Sequence, residues 1–263
     1  MRFGFRPSVA LALAASTVVC SSSALQPPAS APEDPPFVLP PVPANALRVL
    51  FVGNSLTYSN GLPRTVADLA KAAGQRTLYA VSIAFPDFAL EDHLAQGDAA
   101  RVLKAQDWDF VVLQQGPTSL ASSRVLLERD ARRFAPLIAQ AKAKPALFMV
   151  WPTEDRQFAF NDVRDSYRAA AVDIDGLFLP AGMSWLEAWK RDAGLVLYLD
   201  GLHPTPMGTY LAAMVIVQRL YGVSPVELTA PGVVDGVRYN WSEDLLRLLR
   251  ESAAAANAAE GRP

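Results

Sequence analysis

The chain predicts an α/β protein, a flavodoxin-like three-layer α/β/α sandwich around a five-stranded parallel sheet. Three observations predict it. From residue 47 onwards, short apolar β-prone runs alternate with helix-like segments, and that alternation means βαβ units with helices on both faces of a sheet. The strand runs are nearly continuous in apolar residues, as in strands covered on both sides. The length is 263 residues, 51% hydrophobic and 19% charged, which suits one large domain and is too apolar for a disordered chain.

Taken in order, residues 47–52 are apolar, β-prone and stopped by Gly53. Residues 62–73 place Val66, Leu69, Ala70 and Ala73 at helical spacing, with Gly74 as a stop. Residues 77–83 predict the second strand and residues 90–104 a helix. The third strand falls at 110–113, followed by a long amphipathic helix over 122–143. The fourth strand is expected at 146–150, a helix at 163–172, and a short fifth strand at 177–179. Helices are expected around 184–191, 207–221 and 242–255. In such sheets ligands sit beyond the carboxyl ends of the strands, so the residues there are the ones to read for chemistry.

Ahead of the domain, Arg2 and Arg6 precede a weakly apolar run over residues 9–19. That run is short for a bilayer span and reads as a signal peptide over residues 1–24, with Ser22-Ser23-Ala24 as a cleavage site. Cys20, the one cysteine of the chain, raises a lipoprotein signal with Cys20 acylated, although Val19 stands where such signals place a small residue. Residues 25–46 carry eight prolines from Pro27 to Pro43, a density that excludes a helix and favours an extended spacer. The domain is expected over residues 47–258 and a short tail over 259–263. The protein is therefore expected to be exported: periplasmic, secreted or lipid-anchored, touching a membrane only through an N-terminal anchor. A net charge of −2 without a basic stripe gives no reason to expect a nucleic-acid partner.

The first strand ends in Gly53-Asn54-Ser55-Leu56-Thr57. A serine just past a buried strand can project its hydroxyl into the crevice and offer its own N–H to an oxyanion, although a lone serine there reads first as a cap or turn residue. Near the other end, Asp200-Gly201-Leu202-His203-Pro204 follows a short apolar run over 195–199 and precedes a helix. Three residues apart in a loop, Asp200 can fold back onto the imidazole Nδ1 of His203 and leave Nε2 for a nucleophile. The chain has only two histidines, and a catalytic serine needs a base.

These two segments resemble the first and last blocks of the SGNH (GDSL-type) hydrolases, with Asn54 where many members carry aspartate and Asp200-x-x-His203-Pro204 matching the block that supplies acid and base. The order along the chain fits as well, and the resemblance runs from about residue 47 to 221. It differs from the α/β-hydrolase signature, because Thr57 stands where Gly-x-Ser-x-Gly needs its second glycine. The resemblance implies an ester hydrolase of SGNH fold with Ser55 as nucleophile, His203 as base and Asp200 as its orienting acid.

The middle blocks depart from the family. Its second block offers a glycine N–H to the oxyanion. Here the loop is Ala84-Phe85-Pro86-Asp87-Phe88-Ala89, without glycine, so the backbone N–H of Asp87 or Phe88 is the candidate and Pro86 has none. The third block usually supplies an asparagine amide. Val112-Leu113-Gln114-Gln115-Gly116-Pro117 resembles the branch that uses a glutamine, which makes Gln114, then Gln115, the candidate donor beside the Ser55 N–H. Asn54, His93 (in Leu90-Glu91-Asp92-His93) and Trp151, just past strand four, are the candidates for substrate contact, with structural or packing roles as the alternative for His93 and Trp151. The adjacent carboxylates Glu91-Asp92 and Glu154-Asp155 diverge and read as solvated faces rather than a glycosidase pair. Two histidines and one cysteine without ligand spacing give no reason to expect a metal or other cofactor.

The expected activity is hydrolysis of carboxylic esters, of short acyl (acetyl) groups on a carbohydrate or small molecule, because no long apolar lid segment is present. The rival expectation is an SGNH-fold module that binds a glycan or partner without turnover, for which the missing second-block glycine speaks. A nucleotide-binding reading fails, since Gly53-Asn54-Ser55 lacks the glycine spacing and lysine of a phosphate loop.

Overall fold

A computed structural model describes residues 38–261; the expected signal peptide over residues 1–24, Cys20, most of the proline-rich stretch and the last two residues lie outside them. Five parallel strands form the sheet: β1 (Leu47–Gly53), β2 (Leu78–Ala84), β3 (Phe110–Leu113), β4 (Lys144–Phe148) and β5 (Leu177–Leu179). Their order is β2-β1-β3-β4-β5, with Leu47 opposite Leu78, Val49 opposite Phe110, Phe110 opposite Lys144 and Ala146 opposite Leu177. The flavodoxin-like α/β sandwich expected from the sequence is therefore the fold observed. β1 lies inside the sheet between β2 and β3 and is almost wholly buried, which is why it has no polar alternation. The chain direction across the sheet reverses between β1 and β3, and at such a switch point the loops part to leave a crevice.

One helical layer is built from α2 (Leu62–Ala72), α7 (Ala181–Arg191), α8 (Pro206–Tyr221) and α9 (Glu243–Ala259), which pack on one another. The other contains α3 (Leu90–Gln96), α4 (Asp98–Ala105), α5 (Ala121–Gln140) and α6 (Phe160–Asp173). Nearly every residue of α8 from Gly208 to Val217 is buried; a helix apolar all round is a helix enclosed by neighbours.

The single helix expected over residues 90–104 is two. Gly97, at φ 84°, ends α3 and begins α4, a left-handed turn that glycine adopts at little cost. Strand β4 pairs two residues earlier than expected. The apolar run continues through Met149 and Val150, both fully buried, where α7 approaches so closely that a Cβ on Gly182 would lie 2.4 Å from the Val150 carbonyl oxygen. A small hairpin, Val233–Val234 with Val237–Arg238, turns at Asp235-Gly236, both at positive φ, the sequence signature of a tight hairpin turn. The end of the proline-rich stretch lies along the domain: Leu39 and Val42 pack on the core, and Tyr79 donates to the Pro40 carbonyl at 2.8 Å.

Candidate active site

Ser55 stands at the first position of α1 (Ser55–Tyr58), directly after β1. The turn that delivers it is crowded. A Cβ on Gly53 would lie 2.3 Å from both Gln114 Oε1 and Thr57 Oγ1, so only glycine leaves room. Asn54 caps the short helix: its Oδ1 accepts the Leu56 N–H at 3.1 Å, and its Nδ2 donates to the Phe88 carbonyl at 3.1 Å. Gln114 Oε1 accepts from the Asn54 N–H at 2.8 Å and from Thr57 Oγ1 at 2.7 Å.

The Asp200–His203 segment is a tight antiparallel loop. Thr205 N–H donates to the Leu197 carbonyl and Leu199 N–H to that of His203, both at 2.8 Å. Gly201, at φ 88°, makes the turn. Asp200 Oδ1 accepts the backbone N–H groups of Leu202 (3.1 Å) and His203 (2.8 Å), an Asx-type turn that leaves Oδ2 against His203 Nδ1 at 2.7 Å. With Nδ1–H given to the carboxylate, Nε2 is the acceptor, and Ser55 Oγ lies 2.9 Å from it. Those N–H groups and the imidazole hold the Asp200 carboxyl down near about 2, below the usual carboxylate range. Ser55 and His203 are half-buried and Asp200 is exposed.

Four contacts from distant elements fix this loop. Trp151 Nε1–H donates to the Leu202 carbonyl at 2.8 Å, Tyr198 OH to the Pro152 carbonyl at 2.7 Å, and the Glu154 N–H to the Gly201 carbonyl at 2.8 Å. From the Ser55 side, Asn60 Nδ2 donates to the Pro204 carbonyl and to Thr209 Oγ1, both at 2.9 Å. Asn60 holds a left-handed φ of 50° and joins the serine segment to the histidine loop. Sequence reasoning passed over it; an Asn-Gly pair shortly after the serine was the available signal. Thr205 then caps α8 by accepting the Gly208 N–H at 3.3 Å, with Pro206 at the first helical position.

Several expected contacts are corrected. Gln114 is fully buried, its oxygen engaged as above and its Nε2 donating to the Gln115 carbonyl, so its amide does not face the crevice. Gln115 is buried, its Oε1 accepting the Leu90 N–H at 3.2 Å and its backbone N–H meeting Tyr167 OH at 3.0 Å, while no hydrogen bond among the described residues uses its Nε2. Asn54, expected at the substrate, spends both ends of its amide on the backbone and is 7% exposed. Trp151 is buried and stacks on Trp185 with ring centres 3.8 Å apart; it braces the histidine loop instead of lining a pocket. His93 is buried, with Nε2 2.8 Å from the Gly53 carbonyl oxygen, away from the rim.

The second-block loop behaves otherwise than its composition suggests. Phe85 and Phe88 close a turn, the Phe88 N–H on the Phe85 carbonyl at 3.4 Å. Pro86 and Asp87 are its central residues, and Asp87 sits at φ 60°, the position and conformation that a turn of this type normally gives to glycine. The Phe88 N–H is thus spent, whereas no hydrogen bond among the described residues uses the N–H of Asp87 or of Ser55. Glu91, Asp92, Glu154 and Asp155 are all exposed. Among the described residues no cluster of His, Cys, Asp and Glu could hold a metal ion, and no helix is long and apolar enough to cross a membrane.

No protein-family model and no curated protein matches the chain. Solved structures do. A protein from Slackia heliotrinireducens assigned as an SGNH hydrolase is 27% identical over 66% of this chain and 98% of its own, with a TM-score of 0.53. A DUF4886 family protein from Bacteroides uniformis is 16% identical, covering 83% of this chain and 97% of its own at a TM-score of 0.70. A lipase/acylhydrolase from Enterococcus faecalis is 16% identical over 66% and 96% of the two chains, TM-score 0.54. By its architecture, and by a likeness that extends to SGNH hydrolases, GDSL-like lipases and acetylxylan esterases, the chain is a structural relative of the SGNH/GDSL-type hydrolases.

Proposed function

We propose that the protein is an exported serine ester hydrolase that removes short acyl groups from a carbohydrate or small-molecule ester. The observation that carries the reading is the hydrogen-bonded sequence Ser55 Oγ, His203 Nε2, His203 Nδ1, Asp200 Oδ2, with steps of 2.9 and 2.7 Å. His203 takes the hydroxyl proton as Ser55 Oγ attacks the ester carbonyl, and Asp200 stabilises the imidazolium that forms. The carbonyl oxygen becomes an oxyanion held by the N–H groups of Ser55 and Asp87, each such donor being worth about 3 kcal/mol of barrier. Collapse expels the alcohol, which takes the proton from His203; water activated by the same imidazole then releases the acid and frees Ser55. The left-handed Asp87 supplies what the absent glycine would, which favours turnover over a binding-only module. A short acyl group accords with a neighbour described as an acetyl-xylooligosaccharide esterase from Geobacillus, 14% identical with a TM-score of 0.52.

Hydrolysis of p-nitrophenyl acetate by wild type and Ser55→Ala tests the proposal. The variant is expected to lose at least about 10³-fold in kcat, and only wild type to label with a fluorophosphonate. Equal rates in the two proteins would refute the assignment, and a wild type that neither turns over nor labels would favour a binding module.

A further inference from the structure

His93 is the other of the two histidines, lies outside the Ser55–His203–Asp200 sequence, and is 1% exposed. Its Nε2 is 2.8 Å from the Gly53 carbonyl oxygen, so the ring carries its proton there, and its Nδ1 is buried with no partner. Burial also pushes its pKa below the ordinary value, in keeping with a neutral ring. A buried polar atom left unpaired costs free energy, so apolar packing alone does not explain a histidine at this position.

Its contacts converge on both elements that offer oxyanion donors. The Gly53–Asn54 peptide is clamped at its two ends by buried side chains: the carbonyl by His93 Nε2, the N–H by Gln114 Oε1 at 2.8 Å. The next peptide carries the Ser55 N–H. The same Gly53 carbonyl also accepts the Phe85 N–H at 3.2 Å, and the rings of Phe85 and Phe88 pack on the imidazole with centres 6.0 and 5.1 Å away. Those phenylalanines bracket Asp87, and the Phe88 carbonyl is tied to Asn54 Nδ2.

We propose that His93 is a positioning residue that locks the nucleophile turn and the Asp87 loop together, so that the N–H groups of Ser55 and Asp87 point at one oxyanion. It touches no substrate and moves no proton in the reaction. The inference rests on the esterase reading for its catalytic consequence, and on the hydrogen bond to Gly53 for its structural one.

The test compares His93→Gln, whose Nε2 reaches as the imidazole Nε2 does, with His93→Leu, which keeps bulk and loses the donor. With p-nitrophenyl acetate, His93→Leu is expected to lose about 10- to 100-fold in kcat, the scale of a displacement of about 1 Å at a reacting site, with KM within about twofold. His93→Gln is expected to recover kcat to within about threefold of wild type. Amide hydrogen exchange, which needs no turnover, is expected to quicken in segments 53–57 and 84–88 of His93→Leu and to stay near wild type in His93→Gln. If the leucine variant does not fold, His93→Asn, too short to reach Gly53, takes its place. Wild-type kcat in the donor-less variant, an equal loss in His93→Gln, or a loss confined to KM would overturn the catalytic claim. Unchanged exchange in both segments would overturn the positioning claim, even if wild type proved to be no esterase.

Discussion

Gly53→Ala is the sharpest probe of how the nucleophile turn is built. Gly53 does not sit at a positive φ, so alanine is free to adopt its backbone, and the cost is one of space. The new Cβ would meet Gln114 Oε1 and Thr57 Oγ1 at 2.3 Å and Gln114 Cβ at 3.1 Å. Oε1 ends a flexible side chain, but Gln114 is fully buried and this oxygen holds the Asn54 N–H and the Thr57 hydroxyl. Moving it aside orphans two buried donors. Overpacking costs about 1–3 kcal/mol, and buried groups left without partners about 1–3 kcal/mol more. A central value of about 4 kcal/mol lowers Tm by about 8–16 °C for a domain of this size. Thermal unfolding followed by circular dichroism reads the shift. Gly116→Ala is the control: nothing lies within 4 Å of the added carbon and its φ is not positive, so it should stay within about 0.5 kcal/mol of wild type. A Gly53→Ala protein that melts within about 2 °C of wild type would refute the packing argument.

The histidine loop yields three further predictions. Trp151→Phe keeps most of the ring that stacks on Trp185 but loses the N–H that holds the Leu202 carbonyl; about 1–2 kcal/mol of stability and about tenfold in kcat should be lost with KM unchanged, whereas a raised KM at full kcat would mean the indole touches substrate. Asp200 titrates near about 2 in the folded protein against about 3.9 for a free side chain. Its ionised form is therefore favoured by folding, and the contribution is complete above about pH 4 and lost as pH falls through about 2. Between pH 4 and 7 its charge is constant, so Asp200 should add no step to the pH profile of kcat/KM in that range; an acid-limb step above pH 4 that disappears in Asp200→Asn would contradict the geometry. Asp200→Asn should lower kcat by roughly 10³- to 10⁴-fold.

The element order was legible because it depends on local patterns. Continuous apolar strand runs and helical spacing between them led to five parallel strands and to the strand ends as the place to look. The break at Gly97 is not legible in the pattern because an isolated glycine is tolerated within a helix; its left-handed φ of 84° appears only in the fold. The hairpin at residues 233–238 was passed over although Asp235-Gly236 signalled it.

Within the candidate site the division has a physical basis. Ser55, Asp200 and His203 could be singled out from the sequence because the spacing Asp-x-x-His brings carboxylate to imidazole within one short loop, and because a serine after the first strand lies at the crevice of any such sheet. Their approach to one another, across 148 positions of sequence between Ser55 and His203, is a property of the fold. So is the fate of the other polar residues. Asn54, His93, Gln114, Gln115 and Trp151 all belong to segments near the crevice, and residue type alone made them candidates for substrate or oxyanion. Whether such a group faces solvent or spends its hydrogen bonds on backbone is decided by partners dozens of residues away: Gln114 on Asn54, His93 on Gly53, Trp151 on Leu202. A buried donor or acceptor must find a partner or cost free energy, and the tertiary structure settles which one it finds. By the same logic the missing glycine of the second loop could not be judged from composition: the turn at Pro86 holds Asp87 at φ 60°, a conformation that glycine adopts more readily.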